Sequence, residues 1–231
     1  MTLSPTRHRG EVVATKTLTP RMRRVTLHMR TLTALPLQPA QDVGLVFTGP
    51  DGRELRRRYT IRHADRDAGT IELDGILHGH AGPGAAWFEH AQIGDTVEAV
   101  GPRGKVVLQP GVDWHLFAGD ESGLPAFAEL IAALPGWSNA VLVVEVADAA
   151  EEIDLPDTTH WVHREGAKPG SASLLERALA ELELPAGRGA AYLLGESRCM
   201  VTLRPALEGR GIAHADMFLR GYWNLGRITA G

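Results

Sequence analysis

The chain has 231 residues, 44% hydrophobic and 23% charged, with a formal net charge of −4. That length holds one large domain or two of roughly 100 residues each, and the charge gives no bulk attraction to nucleic acid or to an anionic membrane. The single cysteine, Cys199, excludes an intrachain disulfide and a cysteine-type zinc site. No stretch approaches the ~18 apolar residues of a membrane span and the first residues lack an apolar signal core, so a cytoplasmic protein is expected.

In chain order, short β-branched runs come first. Glu11–Leu18 and Met22–Met29 flank the turn signal Thr19-Pro20, and Gln41–Thr48 follows a proline-containing loop. Gly49-Pro50-Asp51-Gly52 is a strong turn that leads into Leu55–Arg62, L-R-R-R-Y-T-I-R. Thr70–Leu77, Asp95–Gly101 and Lys105–Leu108 complete six or seven strands, the last two around Gly101-Pro102-Arg103-Gly104. Such spacing predicts a closed antiparallel barrel or a sandwich, interrupted by one short helix over Pro83–Ala91 with proline at its first position. After Pro110-Gly111 the pattern changes. Runs at Trp114–Ala118, Ala140–Ala147, Thr159–His163, Ala190–Leu194 and Met217–Leu219 alternate with helical stretches, including Ser171–Leu182 and Ser197–Glu208. Strand alternating with helix predicts an α/β domain with a parallel sheet, which places a barrel domain at 1–110 and an α/β domain at 111–231.

The arginine-rich strand is the leading candidate for a site. At a period of two, Arg57, Tyr59 and Ile61 share one face and Arg58, Thr60 and Arg62 the other. Arginine pairs bidentately with phosphate, tyrosine offers a stacking face and threonine a hydroxyl, so the strand suits a ligand carrying both a phosphate and a flat ring. Taken alone it also reads as a solvated edge strand whose charges discourage pairing. One hairpin later, His78-Gly79-His80-Ala81-Gly82 feeds the helix at Pro83, and the small residues Gly82, Gly84, Ala85 and Ala86 would admit a pyrophosphate to free N–H groups. His78 and His80, with His90 or His63, are the alternative reading as a metal site, but the glycine-rich context offers no fixed carboxylate. In the second half, Gly119-Asp120-Glu121-Ser122-Gly123 forms a strand–turn–helix where α/β sheets bind ligands. It matches neither G-x-G-x-x-G nor G-x-S-x-G. No catalytic triad or carboxylate pair stands out, as suits a protein whose cofactor carries the chemistry.

Together these pieces resemble the siderophore-interacting proteins, FAD-dependent ferric-siderophore reductases within the ferredoxin–NADP reductase superfamily. The matching residues are R-R-Y-T-I-R at 57–62, L-H-G-H-A-G-P at 77–83 with Trp87, G-D at 94–95 and G-P-R-G at 101–104, then G-D-E-S-G-L-P at 119–125, G-E at 195–196 and R-G-Y-W at 220–223. The resemblance implies a Greek-key barrel that binds FAD, followed by a Rossmann-like domain for the electron donor. It implies Arg57, Tyr59, Thr60, Ile61, Arg62, His78, Gly79, Gly82, Pro83, Gly84, Ala85, Ala86 and Trp223 at the FAD, with Tyr59 and Thr60 near its reactive edge and no catalytic residue beyond the flavin. Gly119, Asp120, Glu121, Ser122, Gly195 and Glu196 fall at the nicotinamide dinucleotide. The implied substrate is a ferric siderophore and the implied donor NAD(P)H or ferredoxin; with only three lysines, Lys16, Lys105 and Lys168, arginines would have to attract an anionic chelate. A monomer with no nucleic-acid or membrane partner is expected. Two alternatives are a general NAD(P)H:flavin or ferredoxin-type reductase and a flavin- or siderophore-binding module without turnover.

Overall fold

The computed structural model describes residues 6–49, 51–77, 82–104, 106–135 and 139–226. The chain divides into two compact units, the first ending at Val106 and the second beginning at Val107.

The first unit is built from β1 (Arg7–Thr19), β2 (Met22–His28), α1 (Arg30–Thr33), β3 (Asp42–Thr48), β4 (Glu54–Asp65), β5 (Thr70–Ile76), α2 (Pro83–His90) and β6 (Thr96–Arg103). The strands close into a barrel in the order β1-β2-β5-β4-β3-β6, with every pairing antiparallel. Strand β1 closes it by pairing with both β2 and β6, and its register shift between Val12 and Ala14 lets one long strand bend between two partners. Alternation fills the interior: Val12, Val25, Leu27, Val43, Leu45, Ile71 and Leu73 are fully buried, and on β1 and β2 the residues flanking them are exposed or half-buried. Each such side chain contributes about 1.5–3 kcal/mol relative to exposure.

Two expectations need correction here. The expected strand over 105–108 is not seen among its described residues: β6 runs through Gly101-Pro102 to Arg103, and Val106–Leu108 lie outside any strand. The physical reason is that β6 has ladders on both sides, with Val100 opposite Arg7 and Arg103 opposite Asp42, and these carry it past a dipeptide that reads locally as a turn. The short α1, bonded from Thr33 N–H to the Met29 carbonyl, had no signature in the sequence pattern.

The second unit holds β7 (Trp114–Asp120), α3 (Leu124–Ala132), β8 (Ala140–Val146), β9 (Thr159–His163), α4 (Ser173–Glu181), β10 (Gly189–Glu196), α5 (Ser197–Glu208) and β11 (Met217–Trp223). Its five strands are all parallel, in the order β11-β10-β7-β8-β9. The central strands β7 and β10 are buried along their whole length, the near-continuous apolar run that a sheet covered on both faces requires. Leu116 and Ala118 pack with α4 and α5, whereas Phe117 stacks on Tyr192 and meets Phe127 of α3 on the opposite face. The strand order reverses between β7 and β10, so the crevice beyond their carboxyl ends is the switch point of a doubly wound sheet.

Candidate functional site

In the barrel unit, the site begins with how β4 and α2 meet. Tyr59 lies on the inward side of β4 with its ring 4.6 Å from Phe88 of α2. Phe88 in turn stands edge-on to Trp87 at 5.0 Å. Gly75 makes the packing possible: a Cβ there would come within 2.2 Å of the Phe88 ring. The far end of α2 is held by Arg23, which donates to the carbonyls of Phe88, Glu89 and Ala91, the C-terminal acceptors that a helix leaves open. At its start, Gly84 sits under the Tyr59 hydroxyl, since a Cβ would lie 2.1 Å from Oη and 3.3 Å from Arg57 Cγ. Burial pushes the Tyr59 phenol up, so it stays protonated and able to donate.

The arginines in and just before β4 then separate by their partners. Arg53 pairs with Asp51 at 3.6 Å, Arg56 with Glu54 at 2.7 Å and Arg58 with Asp42 at 3.8 Å. Arg57 donates only to the carbonyl oxygen of Arg56, at 2.9 Å, and has no carboxylate partner among the described residues. Beside it, the N-terminus of α2 begins at Gly82 with Pro83 at the first helical position and no side-chain cap. An uncompensated guanidinium and an uncapped helix N-terminus, separated by one glycine, form a cradle for a diphosphate. Of the other residues expected here, Ile61 is buried in the barrel core and Thr60 is 8% exposed. Arg62 is half-buried, and Pro83, Ala85 and Ala86 lie in the first turn of α2. His78, Gly79, His80 and Ala81 fall outside the described residues. His90, the suggested further ligand of a metal, instead bonds the Ala86 carbonyl at 2.8 Å.

The α/β unit brings Gly119, Asp120, Glu121, Ser122, Gly195 and Glu196 together at the carboxyl ends of β7 and β10. The strands approach closely there, for a Cβ on Gly119 would sit 1.8 Å from the Leu194 carbonyl oxygen. Asp120 is buried and its acceptors are fully used. Oδ1 takes the N–H and hydroxyl of Ser122, and Oδ2 takes the Glu196 N–H at 2.8 Å and the Trp223 indole N–H at 2.9 Å. Burial, and then the charge of Glu121, push this carboxyl up against those hydrogen bonds. Glu196 caps α5 by accepting from Arg198 N–H at 2.7 Å and Cys199 N–H at 2.9 Å, and it also takes the Leu225 N–H at 3.0 Å. Burial raises its carboxyl, but these backbone donors outweigh that and hold it below the usual range. Cys199, in the same turn, is pushed up to about 12 by burial and by Glu196, which leaves it an inert thiol at neutral pH. Among the described residues the α2 terminus is thus without a side-chain cap, while the α5 terminus is closed by the chain's own carboxylate.

Sequence reasoning missed Arg164, which follows β9 directly. It is buried, bidentate to Glu121 at 2.6 and 2.8 Å, and 3.2 Å from Glu145. The available signal was a lone arginine closing a strand beyond an acidic stretch. Arg23, Gly75 and Phe88 were missed as well, because their part in placing α2 depends on pairings between distant strands.

Comparison with known proteins fits this geometry. A solved structure of a siderophore utilization protein from T. fusca superposes with a TM-score of 0.83 at 35% identity, covering 96% of this chain and 94% of that one. The sequence profile of the siderophore-interacting FAD-binding domain matches residues 46–106, and that of siderophore-interacting protein matches residues 112–226. The chain belongs to the siderophore-interacting protein family. An uncharacterized protein of Mycobacterium bovis is 34% identical over 95% of this chain and 91% of its own length. The ferric vibriobactin reductase ViuB of Vibrio cholerae is 27% identical over 77% of this chain and 68% of its own. FAD is the cofactor, and the residues fit it: Arg57 and the start of α2, neither with a carboxylate partner or side-chain cap among the described residues, are suited to its diphosphate. No helix among the described residues is long and apolar enough to cross a membrane.

Proposed function

We propose that this protein reduces the iron of a ferric siderophore to Fe(II), drawing electrons from a nicotinamide dinucleotide. The observation that carries this reading is the β4–α2 cradle, a phosphate site with one uncompensated guanidinium, inside the stretch matched by the siderophore-interacting FAD-binding domain. ViuB, by its name a ferric vibriobactin reductase, supports the substrate class. Bound FAD supplies the exchange between two-electron donors and one-electron reduction of Fe(III). The chain's own part is to hold and shield. Arg57 and the α2 N–H groups would bind the diphosphate, Tyr59 would donate from a phenol that remains protonated, and Thr60 would offer its hydroxyl near the ring. Hard oxygen ligands bind Fe(II) more weakly than Fe(III), so reduction releases the metal. In the α/β unit, the switch-point crevice at Asp120 and Glu196 would receive the donor, and Trp223, tied to Asp120, would order its entrance. Reduced ferredoxin is the second candidate donor, favoured by the self-capped start of α5, where Glu196 already occupies N–H groups that a pyrophosphate would use. Turnover of a ferric siderophore, compared with free flavin and with simple ferric chelates, tests the substrate. Clear preference for the siderophore is expected, and equal rates on free flavin would replace this reading with a general flavin reductase.

A further inference from the structure

Beyond the carboxyl ends of β7, β8 and β9 stand three acids and one base. Arg164 places Nη2 2.6 Å from Glu121 Oε1 and Nη1 2.8 Å from Glu121 Oε2, and Nη1 also reaches Glu145 Oε1 at 3.2 Å. Glu145, the penultimate residue of β8, lies directly opposite Asp120 on β7. It is 3% exposed, and its Oε2 has no hydrogen-bond partner among the described residues. In a doubly wound sheet a dinucleotide's adenosine ribose lies past the second strand from the first turn. An acid there suits the ribose 2′-hydroxyl, and a nearby unpaired arginine suits a 2′-phosphate. Strand β8 is that second strand, its penultimate residue is the acid Glu145, and the arginine directly after the neighbouring β9 is already committed to two carboxylates.

We propose that the Glu121–Arg164–Glu145 cluster makes this protein select NADH over NADPH. The inference rests on the reading of the α/β unit as the nicotinamide donor site. A 2′-phosphate brought to the end of β8 would meet carboxylates that outnumber the local guanidinium, in surroundings too buried for water to screen the repulsion. To pair with Arg164 it would have to draw that guanidinium from a bidentate partner, and such a break exposes buried charge. Arg198, exposed in the first turn of α5, bonds no carboxylate among the described residues. It stands at the end of β10, on the other side of β7 from β8, so it is not the cation that a 2′-phosphate past β8 would meet.

The test uses the FAD-loaded full chain. Anaerobic flavin reduction by NADH and by NADPH gives the ratio of kcat/KM, and calorimetry with 5′-ADP and 2′,5′-ADP gives a binding ratio that needs no turnover. The wild type is expected to favour NADH by about tenfold or more, equivalent to about 1.4 kcal/mol, and to bind 2′,5′-ADP no tighter than 5′-ADP. Glu121→Gln and Glu145→Gln, by loosening the hold on Arg164, are each expected to move both ratios toward the 2′-phosphate by about tenfold. If neither variant folds, the wild-type ratios decide. A wild type that favours NADPH, or variants that fold and leave both ratios unchanged, would overturn the proposal. Failure of both nicotinamides to bind and to reduce the flavin would overturn it too, yet leave siderophore reduction standing if reduced ferredoxin supports it. Selective reduction by NADH without release of iron would sink the siderophore reading alone.

Discussion

Arg57 differs from the arginines around it in having no acid to answer it. Arg53, Arg56 and Arg58 are balanced by Asp51, Glu54 and Asp42, so of these four, among the described residues, it is Arg57 that meets an incoming phosphate without first breaking an ion pair. Truncation of Arg57 to alanine is therefore expected to raise the FAD dissociation constant by about 10- to 100-fold, the loss of a charge-assisted hydrogen bond worth about 1.5–3 kcal/mol. Arg56→Ala should change it by less than about threefold, given that an exposed pair contributes little. Fluorescence titration of the two apoproteins measures both, and equal dissociation constants would move the cradle elsewhere on β4. The sequence displays the arginines and their alternation, and it correctly puts Arg57 and Tyr59 on one face. It does not display the neutralisation pattern, because Asp42 reaches Arg58 only through the pairing of β3 with β4. Long-range register decides which charge is left over.

At the scale of elements, helix starts and strand ends carry the chemistry, and the two units treat them differently. The start of α2 has no side-chain cap among the described residues and its end is clasped by Arg23, so the helix is fixed from its C-terminal side. The start of α5 is capped by Glu196, and Asp120 ties the turns after β7 and β10 to the Trp223 indole. Trp223→Phe removes one donor from Asp120 while keeping an aromatic ring. It is expected to lower stability by about 1–3 kcal/mol, as a buried carboxylate loses a hydrogen bond, read as a lower urea midpoint at unchanged slope. An unchanged midpoint would mean that the indole bond is not maintained in solution. The strands of both units were legible as β-branched or apolar runs because each has a clear inside. Two local features misled: Gly101-Pro102 reads as a turn but lies within β6, and Met217–Leu219 reads as a short strand although β11 continues to Trp223. In both cases the neighbouring ladder, absent from any local window, extends the strand.

For the molecule as a whole, buried acids set opposing dependences on pH. Arg188 holds Asp216 below the usual carboxylate range, and backbone donors do the same for Glu196. Their stabilisation is complete above the ordinary value near 4 and is lost as pH falls through their lowered folded values. Asp120 and Glu145 run the other way: burial raises both, so their ionisation costs stability as pH climbs from about 4 through the raised values. Stability is therefore expected to peak on the acid side of neutrality and to fall steeply below about pH 4. Asp216→Asn should flatten that acid limb, and chemical denaturation from pH 3 to pH 8 checks it; an acid limb of unchanged slope would assign the loss to other groups. The two-unit order, barrel then parallel α/β, was the most legible level of all, since a change from short turn-bounded strands to alternating strand and helix marks it directly. The cradle was half legible, as the glycines and the arginine stand in the sequence but the Phe88–Gly75 and Tyr59–Gly84 contacts that seat α2 do not.

The central claim is that electrons pass through this protein to siderophore-held iron. It is tested most directly by mixing FAD-loaded, fully reduced protein with a ferric siderophore under argon while following the flavin band and trapping Fe(II) with a colorimetric chelator. The flavin absorbance should return as trapped iron appears, two Fe(II) for each flavin reoxidised, because FAD yields two electrons and each Fe(III) takes one. A flavin that stays bleached with no Fe(II) formed would contradict the account.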